Sequence, residues 1–305
     1  MSHDLPTRRA AITGLALLPL AVASPAVATN GPETRSFHDI SKAMWVWKYS
    51  PGQAARVQTF ATQHNIATLF VSIPAAARLQ LLNGDSMMAA ELRVLSQHGR
   101  AVYALAGDPS WVETPNEIQP PLQLLIDIQD KLHVFHGLHL DVEPHSLPAW
   151  RSGAEAQGRL SANYLAFLAT VRAHTKSWTL DVAVHPMLAR LSLPDGRNAL
   201  RAVTEQVTSV SLMAYRDNAD TTIQWATPAI DILQAAHRRW RMGVLMYASK
   251  EPRTSFIDQP PDQFYAETAK LDALLRAHDQ GGLYNGLVFE DYDALRIKLS
   301  STRHK

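Results

Sequence analysis

Cysteine is absent from this chain of 305 residues, so disulfide frameworks and thiolate chemistry are excluded. Stability must then come from a large apolar core, which a chain of this length can bury as a single domain. Neither sign of charge dominates, because 29 Lys and Arg stand against 28 Asp and Glu. We therefore expect no nucleic-acid partner. A glycine-rich phosphate-binding turn is also missing from the sequence, and no cofactor is expected.

The apolar run nearest the N-terminus is too short to span a bilayer. It follows Arg8 and Arg9, extends over residues 10–18, and leads to the small residues Ala-Val-Ala at 26–28. These features are typical of a secretory signal peptide, and the paired arginines indicate export by the twin-arginine translocation machinery. We predict a signal peptide over residues 1–28 and a mature chain over 29–305, periplasmic or secreted, without membrane contact after cleavage.

Short apolar or β-branched runs alternate with amphipathic stretches of helical length along the mature chain. The predicted strands are Ala43–Tyr49, Ala67–Pro74, Arg100–Asp108, Gly137–Pro144, Trp178–Pro186, Ser209–Tyr215, Arg241–Ala248 and Gly286–Tyr292. The predicted helices are Gly52–Asn65, Asp85–His98, Leu122–Leu132, Leu160–His174, Asn198–Val207, Thr221–Trp240, Gln263–His278 and Leu295–Leu299. Eight such units predict an α/β fold, a single (β/α)8 TIM barrel preceded by a signal peptide.

The fourth predicted strand carries three titratable side chains on one face. The period of two in a β-strand places His139, Asp141 and Glu143 together, with apolar residues on the opposite face. Catalytic groups in barrels of this kind come from the C-terminal ends of the strands, where the loops meet over one cleft. Because buried charges are costly unless they are paired, these side chains indicate a functional site.

The acidic pair on this strand predicts proton-transfer chemistry. Two carboxylates two residues apart repel each other, which raises one pKa and leaves a proton on the pair near neutral pH. Glu143 lies closer to the barrel mouth and is predicted to be the general acid, with Asp141 beneath it as an orienting or charge-stabilising partner. A buried hydrogen-bond network that only ties the strand to its loops is the alternative.

Two segments resemble motifs of the family 18 glycoside hydrolases, the chitinases and endo-N-acetylglucosaminidases. Residues 136–143 are similar to the fourth-strand run Asp-Gly-x-Asp-x-Asp-x-Glu of that family. Asp141 and Glu143 match its last two acidic positions, while His136 and His139 stand at the first two. Residues 212–217, Leu-Met-Ala-Tyr-Arg-Asp, resemble the sixth-strand Met-x-Tyr-Asp, with Arg216 inserted before the acid.

The resemblance implies a glycoside hydrolase that acts on a polysaccharide or an N-acetylated glycan, with Glu143 as the acid. It also implies that Tyr215 binds the acetamido group of the substrate as that group attacks the anomeric carbon. In the family the eighth strand usually ends in a Trp that forms the floor of the sugar subsite. Here the aromatic candidates for that role are Phe289 and Tyr292.

Residues at the other strand ends are predicted to line the same cleft, where aromatic rings can stack on sugar faces. The predicted substrate-binding residues are Trp47, Asp108, His139, His185, Asp217, Tyr247, Glu251 and Glu290. The expected partner is therefore a polysaccharide or other glycan.

Three further functions stay open on the sequence alone. A retaining glycosidase would use Glu143 as acid/base and Glu251 as nucleophile. The histidines in the fourth-strand motif are also compatible with a carbohydrate-binding barrel that lacks catalysis. His and carboxylate side chains crowded on one strand are a workable metal-ligand set. Metallohydrolase barrels usually open with His-x-His, however, and this chain has Trp45-Val46-Trp47, so no metal site is assigned.

Overall fold

A computed structural model of the chain describes residues 35–84, 86–175 and 177–300. The signal peptide predicted for residues 1–28 lies outside these ranges and remains a prediction. Among the described residues, none of the helices combines the length and the apolar character that crossing a membrane requires.

Eight parallel strands form a closed barrel in chain order, with β1 paired to both β2 and β8. The strands are β1 (Lys42–Val46), β2 (Ile66–Val71), β3 (Ala101–Ala106), β4 (Gly137–Leu140), β5 (Thr179–Val184), β6 (Ser209–Leu212), β7 (Arg239–Leu245) and β8 (Tyr284–Glu290). The predicted TIM-barrel fold is confirmed.

Helices surround the barrel on the outside. They are α1 (Ala54–Gln63), α2 (Ala75–Leu82), α3 (Ser86–Leu95), α4 (Pro120–Leu132), α5 (Ala154–His174), α6 (Ala199–Gln206), α7 (Ala219–Ala235), α8 (Pro261–His278) and α9 (Tyr292–Ser300). Short 3-10 helices follow several strands, including Pro144–Ser146 after β4 and Pro186–Arg190 after β5.

Several predicted element boundaries are wrong. The helix predicted over Thr221–Trp240 ends at Ala235, because Trp240 belongs to β7, where it is fully buried and pairs with Tyr284 of β8. The sequence also gave no indication of α2, a separate helix between β2 and α3. The predicted fourth strand was too long, since regular pairing ends at Leu140.

The apolar residues form two separate clusters, one on each side of the barrel wall. The larger cluster joins the outward faces of the strands to the helices. The smaller cluster fills the barrel interior from alternate strand positions and consists of Ala43, Trp45, Phe70, Tyr103, Leu105, Ala183, Met213 and Val288. Because inward and outward residues alternate along each strand, the inner cluster fixes which side chains point toward the barrel mouth.

Candidate active site

The chain keeps its strand-like path past the end of β4 and so carries two carboxylates to the barrel mouth. The backbone N–H of Asp141 donates to the carbonyl of Ala106 in β3 at 3.0 Å. A side chain at the neighbouring Gly107 would be only 1.8 Å from the Asp141 carbonyl, so this close approach requires glycine. Val142 is buried among the outer apolar residues, while Asp141 and Glu143 remain partly exposed.

His139 lies one layer below these carboxylates and is completely buried. The indole N–H of Trp45 donates to its Nε2 at 2.9 Å. An indole nitrogen can only donate, so Nε2 is the acceptor and the proton of a neutral ring is on Nδ1, 2.6 Å from Oδ1 of Asp181. With both ring nitrogens occupied and no exposure, His139 does not reach the cleft. The prediction that His139 contacts substrate is therefore wrong.

Asp181 of β5 is the centre of this lower layer. Besides His139, its carboxylate accepts hydrogen bonds from Ser209 and Ser211 of β6 and from Arg241 of β7, the last at 3.1 Å. Burial alone would raise the pKa of Asp181, but the hydrogen bonds and charges of His139 and Arg241 outweigh it and lower the pKa below its usual range. The carboxylate is therefore a fully paired structural anion, and it was not predicted from the sequence.

Above this layer a cleft of about 260 Å³ opens to solvent at the C-terminal ends of the strands. Its lining residues are Glu143, His145, His185, Met213, Tyr215, Arg216, Leu245, Tyr247, Ser249, Lys250, Glu251 and Thr254. Of the residues predicted for a substrate cleft, Glu143, His185, Tyr215, Tyr247 and Glu251 are thus brought together.

Three carboxyl groups interact beside this cleft: Glu143, which lines it, and Asp141 and Glu290, which are not among its lining residues. Burial, together with the negative charges of Glu143 and Glu290, raises the pKa of Asp141 well above its usual range. Oδ1 of Asp141 is buried and has no hydrogen-bond partner among the described residues. Burial also raises the pKa of Glu290 to about 7, helped by the charge of Glu143 and opposed by a hydrogen bond from Tyr215. Near neutral pH the cluster therefore holds protons that solvent-exposed carboxylates would have lost.

Two tyrosine hydroxyls hold the Glu290 carboxylate in place. Tyr215, which follows β6, donates to Oε2, and Tyr247, which follows β7, donates to Oε1 at 3.5 Å. Burial and the adjacent Glu290 charge raise the pKa of Tyr215 well above its usual range, so its hydroxyl stays protonated. Gly243 leaves room for this ring, because a Cβ at that position would lie 2.8 Å from Cε1 of Tyr215.

Two histidines form one wall of the cleft. His145 follows the acidic pair, with Nε2 at 3.8 Å from Oε2 of Glu143, and its ring centre is 4.7 Å from that of His185. Burial, with the charges of His145 and Arg216, lowers the pKa of His185 to about 4. His185 is therefore neutral near pH 7. Its Nδ1 accepts the backbone N–H of Met187 at 3.2 Å, so the ring proton is on Nε2, which can donate a hydrogen bond to a ligand.

The remaining predicted residues occupy different positions. Trp47 is partly buried and packs on the inner apolar cluster. Asp108 is exposed and caps the 3-10 helix Pro109–Glu113 by accepting from the Ser110 N–H at 2.8 Å. Asp217 faces a neighbouring pocket and lies 3.7 Å from Nε of Arg253. Asp108 and Asp217 thus have structural partners and are not among the residues that line the main cleft.

Neither aromatic residue considered for the floor of the sugar subsite faces the cleft. Phe289 is fully buried in the outer apolar cluster, because it alternates with the inward-facing Val288 and Glu290. Tyr292 begins α9 and is also buried. The inward position at the end of β8 is instead occupied by Glu290, so a carboxylate stands where the resemblance suggested an aromatic platform.

The histidines and carboxylates of β4 do not converge as metal ligands would. No group of three His, Asp or Glu in the described part of the chain is arranged to hold a metal ion. Nδ1 of His136 accepts the backbone N–H of Val102 at 3.2 Å, and His139 is tied to Asp181. Alternation and chain direction separate these side chains along the strand.

Comparison with known proteins supports the resemblance at the level of the fold. The structure is similar to that of a GH18 chitinase from Pseudoalteromonas aurantia, with 10% sequence identity, a TM-score of 0.55, and coverage of 85% of this chain and 99% of that one. The chain shares its fold with family 18 chitinases. A chitinase from Chromobacterium violaceum gives 14% identity and a TM-score of 0.50, over 87% and 99% of the two chains. No protein-family model and no curated protein sequence matches the chain.

Relative to the family 18 pattern, the acidic pair and the sixth-strand Tyr are present, and the differences lie in the partners of these residues. Tyr215 is hydrogen-bonded to Glu290, which is 75 positions away in the sequence. Spacing within one strand cannot reveal such a contact. Arg216 and Lys250 also line the cleft and were not predicted, since single charged residues in loops carry no pattern.

Proposed function

We propose that this protein is a glycoside hydrolase of the chitinase-like type that cleaves a polysaccharide or an N-acetylated glycan. The observation that carries this proposal is the acidic pair after β4, where Asp141, with a buried Oδ1 and a raised pKa, lies beneath Glu143, which lines an open cleft. Proton donors at this position are what cleavage of a glycosidic bond requires. The fold shared with chitinases supports the same function.

In the proposed reaction Glu143 donates a proton to the glycosidic oxygen as the bond from that oxygen to the anomeric carbon breaks. Glu143 then accepts a proton from the water that completes hydrolysis, so one residue serves in both steps. Burial and the neighbouring carboxylates raise the pKa of Asp141, which favours its protonated form and limits the negative charge beside Glu143. The neutral His185 and the two tyrosines at the rim provide hydrogen-bonding groups for sugar hydroxyls.

The proposal is tested by measuring the release of reducing ends from chitin, peptidoglycan and exopolysaccharide. We expect Glu143→Gln to lower the rate by about 10²- to 10⁴-fold, the usual contribution of a general acid. Glu205→Gln is the matched control, because Glu205 is exposed near the end of α6, close to the N-terminal end of β6 and away from the barrel mouth. Equal rates for wild type and Glu143→Gln would remove Glu143 from the mechanism.

A carbohydrate-binding barrel without catalysis is the outcome that would replace this proposal. It would show as tight binding on a glycan array, unchanged in Glu143→Gln, with no turnover of any bound glycan by the wild type.

We also propose that the protein acts in the periplasm or outside the cell after twin-arginine export. Support for this comes from the sequence of residues 1–28. Replacing Arg8 and Arg9 by lysine should leave an uncleaved precursor in the cytoplasm, as seen by cell fractionation and mass spectrometry. Normal export of that variant would exclude this route.

A further inference from the structure

Glu290 ends the strand opposite the acidic pair and is hydrogen-bonded to two tyrosines that line the cleft. In the closed order of eight strands, β4 and β8 are four strands apart, which is the largest separation the barrel allows. Asp141 and Glu143 follow β4, and Glu290 ends β8. A sugar bound at the barrel mouth would therefore have carboxyl groups on two opposite sides. Besides burial, the charge of Glu143 raises the pKa of Glu290, so the two carboxyl groups interact across the barrel mouth. A retaining glycosidase needs such a pair, one carboxyl to protonate the leaving group and one to attack the anomeric carbon.

Hydrogen bonds orient the Glu290 carboxylate, whereas none orients the carboxylate of Glu251, the nucleophile considered from the sequence. Tyr215 and Tyr247 donate to the two oxygens of Glu290, and both tyrosines line the cleft together with Glu143. The Glu290 side chain is also partly exposed. Glu251, in contrast, is exposed on the loop after β7, and its carboxylate accepts no hydrogen bond from the described residues.

The hydrogen bond from Tyr215 to Glu290 changes what the family resemblance implies. There the corresponding Tyr binds the acetamido oxygen of the substrate, which attacks the anomeric carbon. In this chain the Tyr215 hydroxyl is directed at a carboxylate of the protein itself. The protein thus supplies an oxygen nucleophile at the place where the substrate would otherwise need its own.

We propose that Glu290 is the catalytic nucleophile and that the cleaved sugar needs no 2-acetamido group. This inference rests on the proposed function, since it takes Glu143 as the acid/base. The substrate class it names is a glycan of neutral sugars with a hydroxyl at C2. Asp141 is a poorer candidate, because its Oδ1 is buried without a hydrogen-bond partner among the described residues, whereas tyrosine hydroxyls hold both oxygens of Glu290.

The proposed reaction has two displacement steps at the anomeric carbon. In the first, an oxygen of ionised Glu290 forms a bond to the anomeric carbon, the bond from that carbon to the glycosidic oxygen breaks, and Glu143 gives its proton to the departing oxygen. In the second, Glu143 removes a proton from water, the water oxygen bonds to the anomeric carbon, and Glu290 leaves as a carboxylate. Each displacement inverts the anomeric centre, so the product retains the configuration of the substrate.

The test uses 2-deoxy-2-fluoroglycosyl fluorides of gluco, galacto, manno, xylo and fuco configuration with the mature protein. The fluoride leaving group needs no acid, so wild type and Glu143→Gln should both gain the mass of one fluorosugar, located by peptide mapping on Glu290. Glu290→Gln should gain none. Glu205→Gln should be labelled like the wild type. Because removal of a charge can disturb folding, the thermal unfolding of each variant is measured alongside.

A second readout does not depend on covalent trapping. Glu290→Ala should be inactive on aryl glycosides and regain activity with azide, giving a glycosyl azide of inverted configuration, because the small anion occupies the space of the missing carboxylate. Absence of any label together with absence of azide rescue would overturn the assignment, as would a label on Glu251.

Three measurements separate the role of Glu290 as nucleophile from glycan hydrolysis by Glu143. Suppose that Glu143→Gln abolishes glycan hydrolysis, that N-acetylglucosamine thiazoline inhibits the wild type, and that Glu290→Gln hydrolyses at the wild-type rate. The nucleophile assignment would then be wrong and the chitinase-like function would stand. If the wild type hydrolyses no glycan and takes up no label, both fail.

Discussion

Two groups of polar side chains in the barrel, one layer apart, have opposite electrostatic character. The lower group, around His139 and Asp181, is buried and completely hydrogen-bonded. The upper group, around Asp141, contains three interacting carboxyls and a buried oxygen without a partner. The lower group pairs one anion with Arg241, whereas the upper group collects like charges. Satisfied buried charge marks structure in this barrel, and unsatisfied charge marks the place where a ligand or a proton is expected.

The direction of the pKa shifts follows from this difference. Hydrogen bonds and a nearby cation favour the ionised form of Asp181 despite its burial, so its pKa is lowered. Burial and like charge favour the protonated forms of Asp141 and Glu290, so their pKa values are raised. The same fold therefore holds an anion at one level and protons one layer above.

The largest expected effect on stability is at the lower group. Asp181→Ala leaves Arg241 buried without a counter-charge, and breaking such a pair costs about 3–5 kcal/mol of unfolding free energy. Urea unfolding at pH 7 measures this loss. Asp195→Asn is the control, because Asp195 pairs with Arg197 at the exposed surface and should change stability little. An equally stable Asp181→Ala would show that the network is dispensable.

The stabilisation contributed by ionised Asp181 decreases as the pH falls. Since the folded-state pKa of Asp181 is lowered, its stabilisation is fully present above the unfolded value of about 4 and is lost as pH falls through the folded value. The wild type should therefore lose more stability in acid than Asp181→Ala. Parallel acid-unfolding curves of the two proteins would contradict this.

The upper group is expected to make the protein less stable as the pH rises, which is the reverse of the effect of Asp181. Because the pKa of Glu290 is raised to about 7, the folded state is fully stabilised below the ordinary value near 4.5 and loses stability as pH rises through 7. Glu290→Gln should then raise the unfolding free energy at pH 8 by up to about 3 kcal/mol while it abolishes turnover. At pH 4 the two proteins should be equally stable. A lower melting temperature of Glu290→Gln at pH 8 would show that the carboxylate is structurally required.

Periodicity was sufficient to predict the barrel and the position of the acidic pair. Each strand is a short apolar run, and alternation alone places Asp141 and Glu143 on the inward side at the end of β4. The predicted inward direction of His139 was also correct. Its assignment to the substrate was wrong because alternation gives direction and not depth, and His139 lies a full layer below the cleft.

The partners of these residues could not be predicted, because they come from other strands. Asp181 is 42 positions from His139 and 60 from Arg241, and Glu290 is 75 from Tyr215. Only barrel closure brings them together. Asp181 alternates with Ala183 in β5 and with His185 just after it. This pattern indicates that the Asp181 side chain points into the barrel.

A small change in the pH dependence of kcat is expected when either tyrosine that holds Glu290 is replaced by phenylalanine. Tyr247 is 46% exposed, and its hydroxyl is 3.5 Å from Oε1, so Tyr247→Phe removes only a weak donor to the ionised carboxylate. Loss of a donor raises the Glu290 pKa, and the acid limb of the kcat profile should move to higher pH by less than about half a unit, the equivalent of roughly 0.5 kcal/mol. Tyr215→Phe should move the limb further in the same direction, because the Tyr215 hydroxyl is less exposed and makes the shorter hydrogen bond to Glu290. Profiles of the two variants, measured on one substrate, give the order directly. A shift toward lower pH in either variant would mean that the group titrating on the acid limb is not Glu290.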